Sequence, residues 1–241
     1  MLPYPDLPWK NETEFYNLHS KEIFSEFPFY HLSMVGNTKE EFLNYIIERA
    51  RIDSNSKVID LGCGSGYVVN SLSKLCKSIG ISTSQECINQ AKINYPDSNF
   101  EIANMETYSN ENVTHFLCLE SLHYSNVEKT FKNVYNNLID GGIFYMKEWH
   151  RKFNENDVEI ENRKHFEYYF KYRGITLLEI IKMGYESGFT LLSVNDISNK
   201  VNSKMYTESI KYHKAPLVLP HGNNANPVFP LSPTELLFIK K

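Results

Sequence analysis

The chain has only four cysteines, Cys63, Cys76, Cys87 and Cys118, and no two of them form a Cys-x-x-Cys pair. That spacing excludes a secreted-type disulfide framework and a cysteine zinc site, and it points to a reducing compartment. No stretch approaches the roughly 18 uninterrupted apolar residues that a membrane-spanning helix needs. The opening MLPYPDLPWKNETEF lacks a basic region followed by an apolar run, so it is not expected to be a signal peptide. Excess positive charge is missing too: 25 Lys and Arg stand against 29 Asp and Glu, for a net charge of −4. No bulk footprint for nucleic acid follows from that balance. The basic pairs Arg151-Lys152 and Arg163-Lys164 are short and lie among acids, as solvated faces do. No set of His, Cys and acidic residues has metal-ligand spacing, and no internal repeat or long low-complexity tract is present. The expectation is a soluble, cytoplasmic protein without a metal.

What is present is a chain of 241 residues, 41% apolar and 22% charged, enough for one large α/β domain with elaborations. Aromatic residues reach 14% and crowd the beginning, with Tyr4, Trp9, Phe15, Tyr16, Phe24, Phe27, Phe29 and Tyr30. Residues 1–37 read as an aromatic lid laid over the remainder, 38–241. The stretch 38–51 opens with Thr38 and has Glu41 three positions later, a capping box, and Phe42, Tyr45, Ile46 and Ala50 then recur at helical spacing. Beyond it, strand and helix patterns alternate. Strands are predicted at 58–61, 78–81, 99–102, 114–119, 143–147, 190–194 and 234–240, and helices at 67–75, 85–94, 127–138 and 175–187. The helix 127–138 is expected to stop at Asp140-Gly141-Gly142. Short apolar strands between helices imply a mainly parallel sheet covered on both faces. Two polar or irregular stretches, 148–174 and 198–232, read as insertions.

The segment KVIDLGCGSGYVVNSL, residues 57–72, carries the chemistry. An apolar strand ends in Asp60, and glycines follow at 62, 64 and 66 before a helix begins. In open parallel sheets ligands bind outside the carboxyl ends of the strands, and glycines there allow positive φ and close backbone approach. A dinucleotide turn requires GxGxxG with the pyrophosphate on the helix N-terminus. Here the spacing is GxGxG, Tyr67 stands where the third glycine of that fingerprint belongs, and the acid precedes the glycines.

VIDLGCGSG resembles the first motif of class I S-adenosylmethionine-dependent methyltransferases, hhDhGxGxG. The resemblance implies a Rossmann-like α/β fold with a seven-stranded, mostly parallel sheet, helices on both faces and an added lid. It further implies that the last strand, 234–240, runs antiparallel between the fifth strand and the strand at 190–194. It names S-adenosyl-L-methionine as cofactor, with Asp60 holding the loop near the amino-acid end, and Gly62, Cys63, Gly64 and Gly66 forming the turn. KSIGISTSQECINQAK is similar to the second strand and helix of the branch containing cyclopropane fatty-acid synthases and isoprenoid or sterol C-methyltransferases. That similarity puts Ser82 and Thr83 in the ribose region, with Cys87 where the branch has Gln. FEIANMETY resembles the third strand and its loop, which puts Asn104 where the family often has an adenine-facing Asp and implies Met105 as an adenine wall. THFLCLESLHYSNVEKTF and NVYNNLIDGGIFYMKEW resemble the fourth strand with its helix and the fifth-strand motif, the latter without its Arg and Pro.

Methyl transfer from a sulfonium is an in-line displacement, so candidate residues are those that align groups, balance charge or accept a proton. Glu120, at the end of the fourth strand, is expected beside the methyl group, as a cofactor contact and a catalytic group. His123 is the best candidate for a base, because its ordinary pKa lies near neutrality. Tyr30 and His31 come from the aromatic lid, where an electron-rich ring steadies a cation. Tyr124, Trp149 and His150 are placed at the acceptor pocket, and His115 is expected at the surface. The leading function is methylation of a small molecule at carbon, nitrogen or oxygen. A nucleic-acid or protein methyltransferase is the alternative, although the acidic balance opposes RNA and no Asn-Pro-Pro-Tyr motif follows the fourth strand. A non-catalytic S-adenosylmethionine-binding protein is the third.

Overall fold

The computed structural model describes residues 38–151, 176–197 and 231–241, together with Asn17, Val35, Gly36 and Lys200. Within these, His123, Trp149, His150, Arg151, Leu231, Ser232 and Pro233 are described by their backbone only. The elements in chain order are α1 (Lys39–Ala50), β1 (Lys57–Leu61), α2 (Tyr67–Leu72), β2 (Lys77–Ser82), α3 (Gln85–Asn94) and β3 (Asn99–Ile102). Then come β4 (Val113–Leu119), a 3₁₀ turn (Leu122–Tyr124), α4 (Val127–Asn137), β5 (Leu138–Arg151), α5 (Leu177–Glu186), β6 (Phe189–Asp196) and β7 (Leu231–Lys240).

These strands form one sheet in the order β3-β2-β1-β4-β5-β7-β6. Neighbours from β3 through β5 are parallel, whereas β7 pairs antiparallel with both β5 and β6. The insertion of the last strand between the fifth and sixth agrees with the expectation. Side-chain alternation divides the core in two. On one face Val58, Leu117, Leu119, Tyr145 and Leu237 pack with Phe42, Ile46 and Ala50 of α1 and with Val68 and Leu72 of α2. On the other, Ile59, Phe116, Phe144 and Phe238 pack with Phe131 and Val134 of α4 and Ile180 of α5. There Phe131 meets the rings of Phe144 and Phe238 edge-on, with centroids at 5.3 and 5.5 Å. Such pairs add about 0.5–1.5 kcal/mol each beyond their buried area.

Local signals explain the helix starts. Thr38 accepts the N–H of Glu41 at the head of α1, Ser84 that of Cys87 at α3, and Asn126 that of Lys129 at α4. Thr176 and Glu179 form a reciprocal capping box on α5. Four boundaries differ from expectation by three residues or more. α2 stops at Leu72 rather than 75, because the N–H groups of Leu75 and Cys76 turn back onto the Leu72 carbonyl. Asp140-Gly141-Gly142 lies within β5, which begins at Leu138, with Gly141 at φ +77°. β5 also continues to Arg151 beside the antiparallel β7, so residues 148–151 of the supposed first insertion are strand. β7 likewise starts at Leu231, taking in the end of the stretch 198–232.

Candidate active site at the carboxyl edge of the sheet

The turn after β1 holds its three glycines at positive φ: +78° at Gly62, +50° at Gly64 and +85° at Gly66. Two of them are fixed by contact as well as by torsion. A Cβ on Gly62 would lie 2.5 Å from the Cβ of Ser121, and one on Gly66 would lie 2.6 Å from the Phe100 ring. The amides of Gly62 and Cys63 both donate to the Ile81 carbonyl, tying the turn to β2. The Cys63 thiol, although its residue belongs to the turn, packs with Val69, Ile88, Ala91 and Phe100, and burial pushes it well above the ordinary thiol range. Cys63 therefore offers the turn its backbone and keeps its sulfur in the core.

Asp60 occupies the last position but one of β1, 3% exposed, between Gly80 of β2 and Leu117 of β4. Among the described residues nothing hydrogen-bonds or pairs with its carboxylate, and burial alone raises its pKa to about 7. A carboxylate held largely out of water beside a glycine turn, with no counter-charge near it, is costly. It fits a ligand that brings a cationic group.

The neighbouring loops converge on this turn. At the end of β2, Ser82 Oγ accepts the N–H of Ser84. Asn17 reaches the same corner, where its Oδ1 accepts the Ser84 hydroxyl at 2.7 Å and the Glu86 N–H at 3.5 Å. After β3, the Asn104 side chain accepts the Glu106 N–H at 2.8 Å and its carbonyl accepts those of Thr107 and Tyr108. Met105 packs against the core with its Cε 3.9 Å from where a Gly62 Cβ would stand, so it flanks the turn.

After β4 the chain makes a left-handed step at Glu120, φ +62°, an uncommon backbone for a non-glycine residue. Its carboxylate lies 2.8 Å from the ammonium of Lys147, a side chain with no solvent exposure. The Glu120 N–H donates to the Lys147 carbonyl at 2.8 Å. Lys147 in turn sits 5.0 Å from the centre of the Phe42 ring of α1. The next residue of β5, Glu148, points to the opposite face and accepts the N–H groups of Ser121 at 2.6 Å and Leu122 at 2.7 Å. Ser121 closes the gap to β1 through a hydroxyl hydrogen bond to the Leu61 carbonyl.

Sequence reasoning passed over Lys147 and Glu148, which stood at the end of the predicted strand 143–147 and the start of the supposed insertion 148–174. The signal was available in the opposite charges at 147 and 148 directly after an apolar strand. His115 is a correction: it is 7% exposed rather than superficial, beneath the C-terminal end of α1. Burial pushes its pKa below the ordinary histidine value, partly offset by the Ala50 and Arg51 carbonyls. The backbone of His123 and the half-buried Tyr124 lie in the 3₁₀ turn that Glu148 holds. Trp149 and His150 pair with Pro233 and Ser232 within β5, not beyond its end, and their side chains, like Tyr30 and His31, fall outside the described residues. Ser121 and Met105 both flank Gly62, and Asp60, Ser82, Asn104 and Glu120 lie at or next to the carboxyl ends of β1, β2, β3 and β4. Among the described residues no group of three or more His, Cys, Asp or Glu could hold a metal ion, and no helix is long and apolar enough to cross a membrane.

This strand order, with an antiparallel seventh strand and a glycine turn after β1, is the class I Rossmann-like methyltransferase fold. Residues 59–146 match the family model described as a methyltransferase domain. The chain is 31% identical to the carboxy-S-adenosyl-L-methionine synthase of Staphylococcus epidermidis over 144 residues, which cover 54% of this chain and 61% of that one. The chain spans about half the length of the first curated relatives it matches, 40% and 61%. Among solved structures it is similar to the [4+2]-cyclase SpnF, with TM-score 0.75 at 15% identity over 98% of this chain and 99% of that one. It is also similar to geranyl diphosphate C-methyltransferase from Streptomyces coelicolor A3(2), solved with Mg²⁺, geranyl diphosphate and S-adenosyl-L-homocysteine. There the TM-score is 0.70 at 11% identity over 99% of this chain and 100% of that one.

Proposed function

We propose that the protein is an S-adenosylmethionine-dependent methyltransferase acting on a small-molecule acceptor. The observation that carries this reading is Asp60, a buried carboxylate with no partner among the described residues, set against a turn of three positive-φ glycines. The ammonium of the cofactor's amino-acid end supplies the missing counter-charge, and the bare turn admits the methionine part. Bound there, the cofactor provides a methyl group on a sulfonium. Ser82 and Thr83 then serve the ribose, Asn104 and Met105 the adenine, and Glu120 the neighbourhood of the methyl.

The remaining work is alignment and charge balance, which suits a site built on strand ends. His123, on the turn gripped by Glu148, is the candidate base, with Tyr124, Trp149, His150, Tyr30 and His31 on the acceptor side. Residues 1–37 act as a lid, a role supported by the contact of Asn17 with the start of α3. A cytoplasmic setting accords with four free cysteines. The fold likeness to a geranyl diphosphate C-methyltransferase supports a modest organic acceptor, with the methylated atom left open.

The test is incubation of the protein and a metabolite extract with S-adenosylmethionine carrying a heavy methyl group. One labelled small molecule is the expected result. Label in nucleic acid or protein would overturn the small-molecule reading. Binding without any label transfer favours a second reading, chemistry other than methylation on a bound cofactor. That reading draws on the synthase and cyclase named among the similar proteins.

A further inference from the structure

Two consecutive residues of β5 grip the loop after β4 from opposite faces of the sheet. Glu148 holds the amides of Ser121 and Leu122 on the α4 side. Lys147 holds the Glu120 carboxylate on the α1 side, under the Phe42 ring. A structural ion pair of this depth recovers little of its desolvation cost, so its presence at the ligand edge calls for another explanation. A second ion pair, between the half-exposed Arg49 and the buried Glu235, stands directly beside it, because Lys147 and Glu235 are cross-strand partners. The helix α1 face is therefore tied to the sheet by Glu235 without help from Lys147. Tyr45 and Tyr145 also direct their hydroxyls to Glu235.

We infer that Lys147 is a positioning residue that sets the charge Glu120 presents to the sulfonium of the cofactor. The inference rests on the S-adenosylmethionine reading of the site. Ser121 abuts Gly62, so Glu120 stands next to the glycine turn, and its left-handed backbone keeps the side chain within reach of Lys147. A lone carboxylate there favours the sulfonium over the neutral thioether left after transfer. A lone ammonium does the opposite. The pair holds the site between these extremes, so donor and spent cofactor compete on more equal terms. Lys147 thus governs donor-over-product preference without touching either.

The experiment is calorimetric measurement at pH 8 of the affinities for S-adenosylmethionine and S-adenosylhomocysteine, in the unaltered protein, Glu120→Gln, Lys147→Met and the double variant. The two ligands differ in the sulfonium charge and share the ammonium, so the ratio of affinities cancels any contribution from Asp60. Glu120→Gln lowers the ratio by roughly five- to thirtyfold, Lys147→Met raises it by a similar factor, and the double variant returns near the starting value. If Lys147→Met fails to fold, Glu120→Gln and the double variant decide the matter by the drop and its recovery. One ratio in every folded variant, with only thermal stability changed, overturns the inference and leaves the functional reading intact. Failure of the unaltered protein to bind either ligand overturns both.

Discussion

Glu148 on β5 accepts the backbone N–H of Ser121 at 2.6 Å, and this carboxylate-to-amide contact joins the fourth and fifth strands where the chain turns towards the site. The same oxygen takes the Leu122 N–H, and the Cys118 thiol donates to it at 3.5 Å. With Glu148 only 2% exposed, truncation to Ala removes the acceptor of two buried amides. We expect Glu148→Ala to lower stability by about 3–5 kcal/mol and Glu148→Gln by about 1–3 kcal/mol, since an amide oxygen accepts more weakly. Urea unfolding of both variants measures this. Equal, negligible losses would mean the loop is held elsewhere.

Glu235 makes a comparable prediction at the other end of the buried charge line. It accepts from Tyr45 at 2.8 Å, Arg49 Nε at 2.7 Å, Tyr145 at 3.0 Å and Asn195 at 2.8 Å, joining α1, β5, β6 and β7. Burial first, then this carboxylate, raise the Tyr45 phenol above its ordinary range. Glu235→Leu should cost about 2–4 kcal/mol, below the full penalty for breaking a buried pair, because Arg49 is 36% exposed and can turn to water. Spectrophotometric titration should also show Tyr45 and Tyr145 ionising at lower pH than in the unaltered protein.

Gly66 and Gly141 share a positive φ, +85° and +77°, and differ in their surroundings. A Cβ at Gly66 meets the Phe100 ring at 2.6 Å and the Ala91 Cβ at 3.0 Å, whereas at Gly141 nothing lies within 4 Å. Alanine at 141 therefore carries only the left-handed torsional cost, about 1–2 kcal/mol. Alanine at 66 adds overpacking of about 1–3 kcal/mol and displaces the head of α2. Thermal unfolding of the two variants should separate them by several degrees. Matching midpoints would show that Phe100 yields freely.

Most of the sheet was legible because the strands are short apolar runs set apart by capped helices. β3 and α3 match their expected bounds, 99–102 and 85–94. The place of β7 came through the family resemblance, since the residues TELLFIK do not themselves say which strands they join. Burial of charge was not legible. Lys147, Glu148 and Glu235 each satisfy partners distant in sequence, and only the strand order brings those partners together. His115 was misread for a related reason. A histidine near the start of a strand reads as facing water, yet β4 is buried on both faces and the C-terminal end of α1 covers the side on which His115 lies. The glycine turn was legible in full, because its chemistry is local: an acid, a strand end and three residues able to take positive φ.

Asp60 yields two opposite pH dependences. In the free protein its carboxyl has a pKa raised by burial from 3.8 to about 7. Between those values the folded chain holds a proton that the unfolded chain has released. Stability contributed by this group is therefore highest at low pH and declines as pH rises towards 7, by roughly 4 kcal/mol in all. Cofactor affinity runs the other way. The ammonium is attracted to the ionised carboxylate, so affinity for S-adenosylhomocysteine should be greatest above pH 7 and weaken by up to about tenfold per unit as pH falls below it. Asp60→Asn should flatten both profiles, stabilise the free protein at pH 8 and reduce binding there. Calorimetry across pH 5.5–8.5, beside urea unfolding over the same range, measures the two. Affinity that is level through pH 7 in the unaltered protein would show that Asp60 is not the group that receives the ammonium.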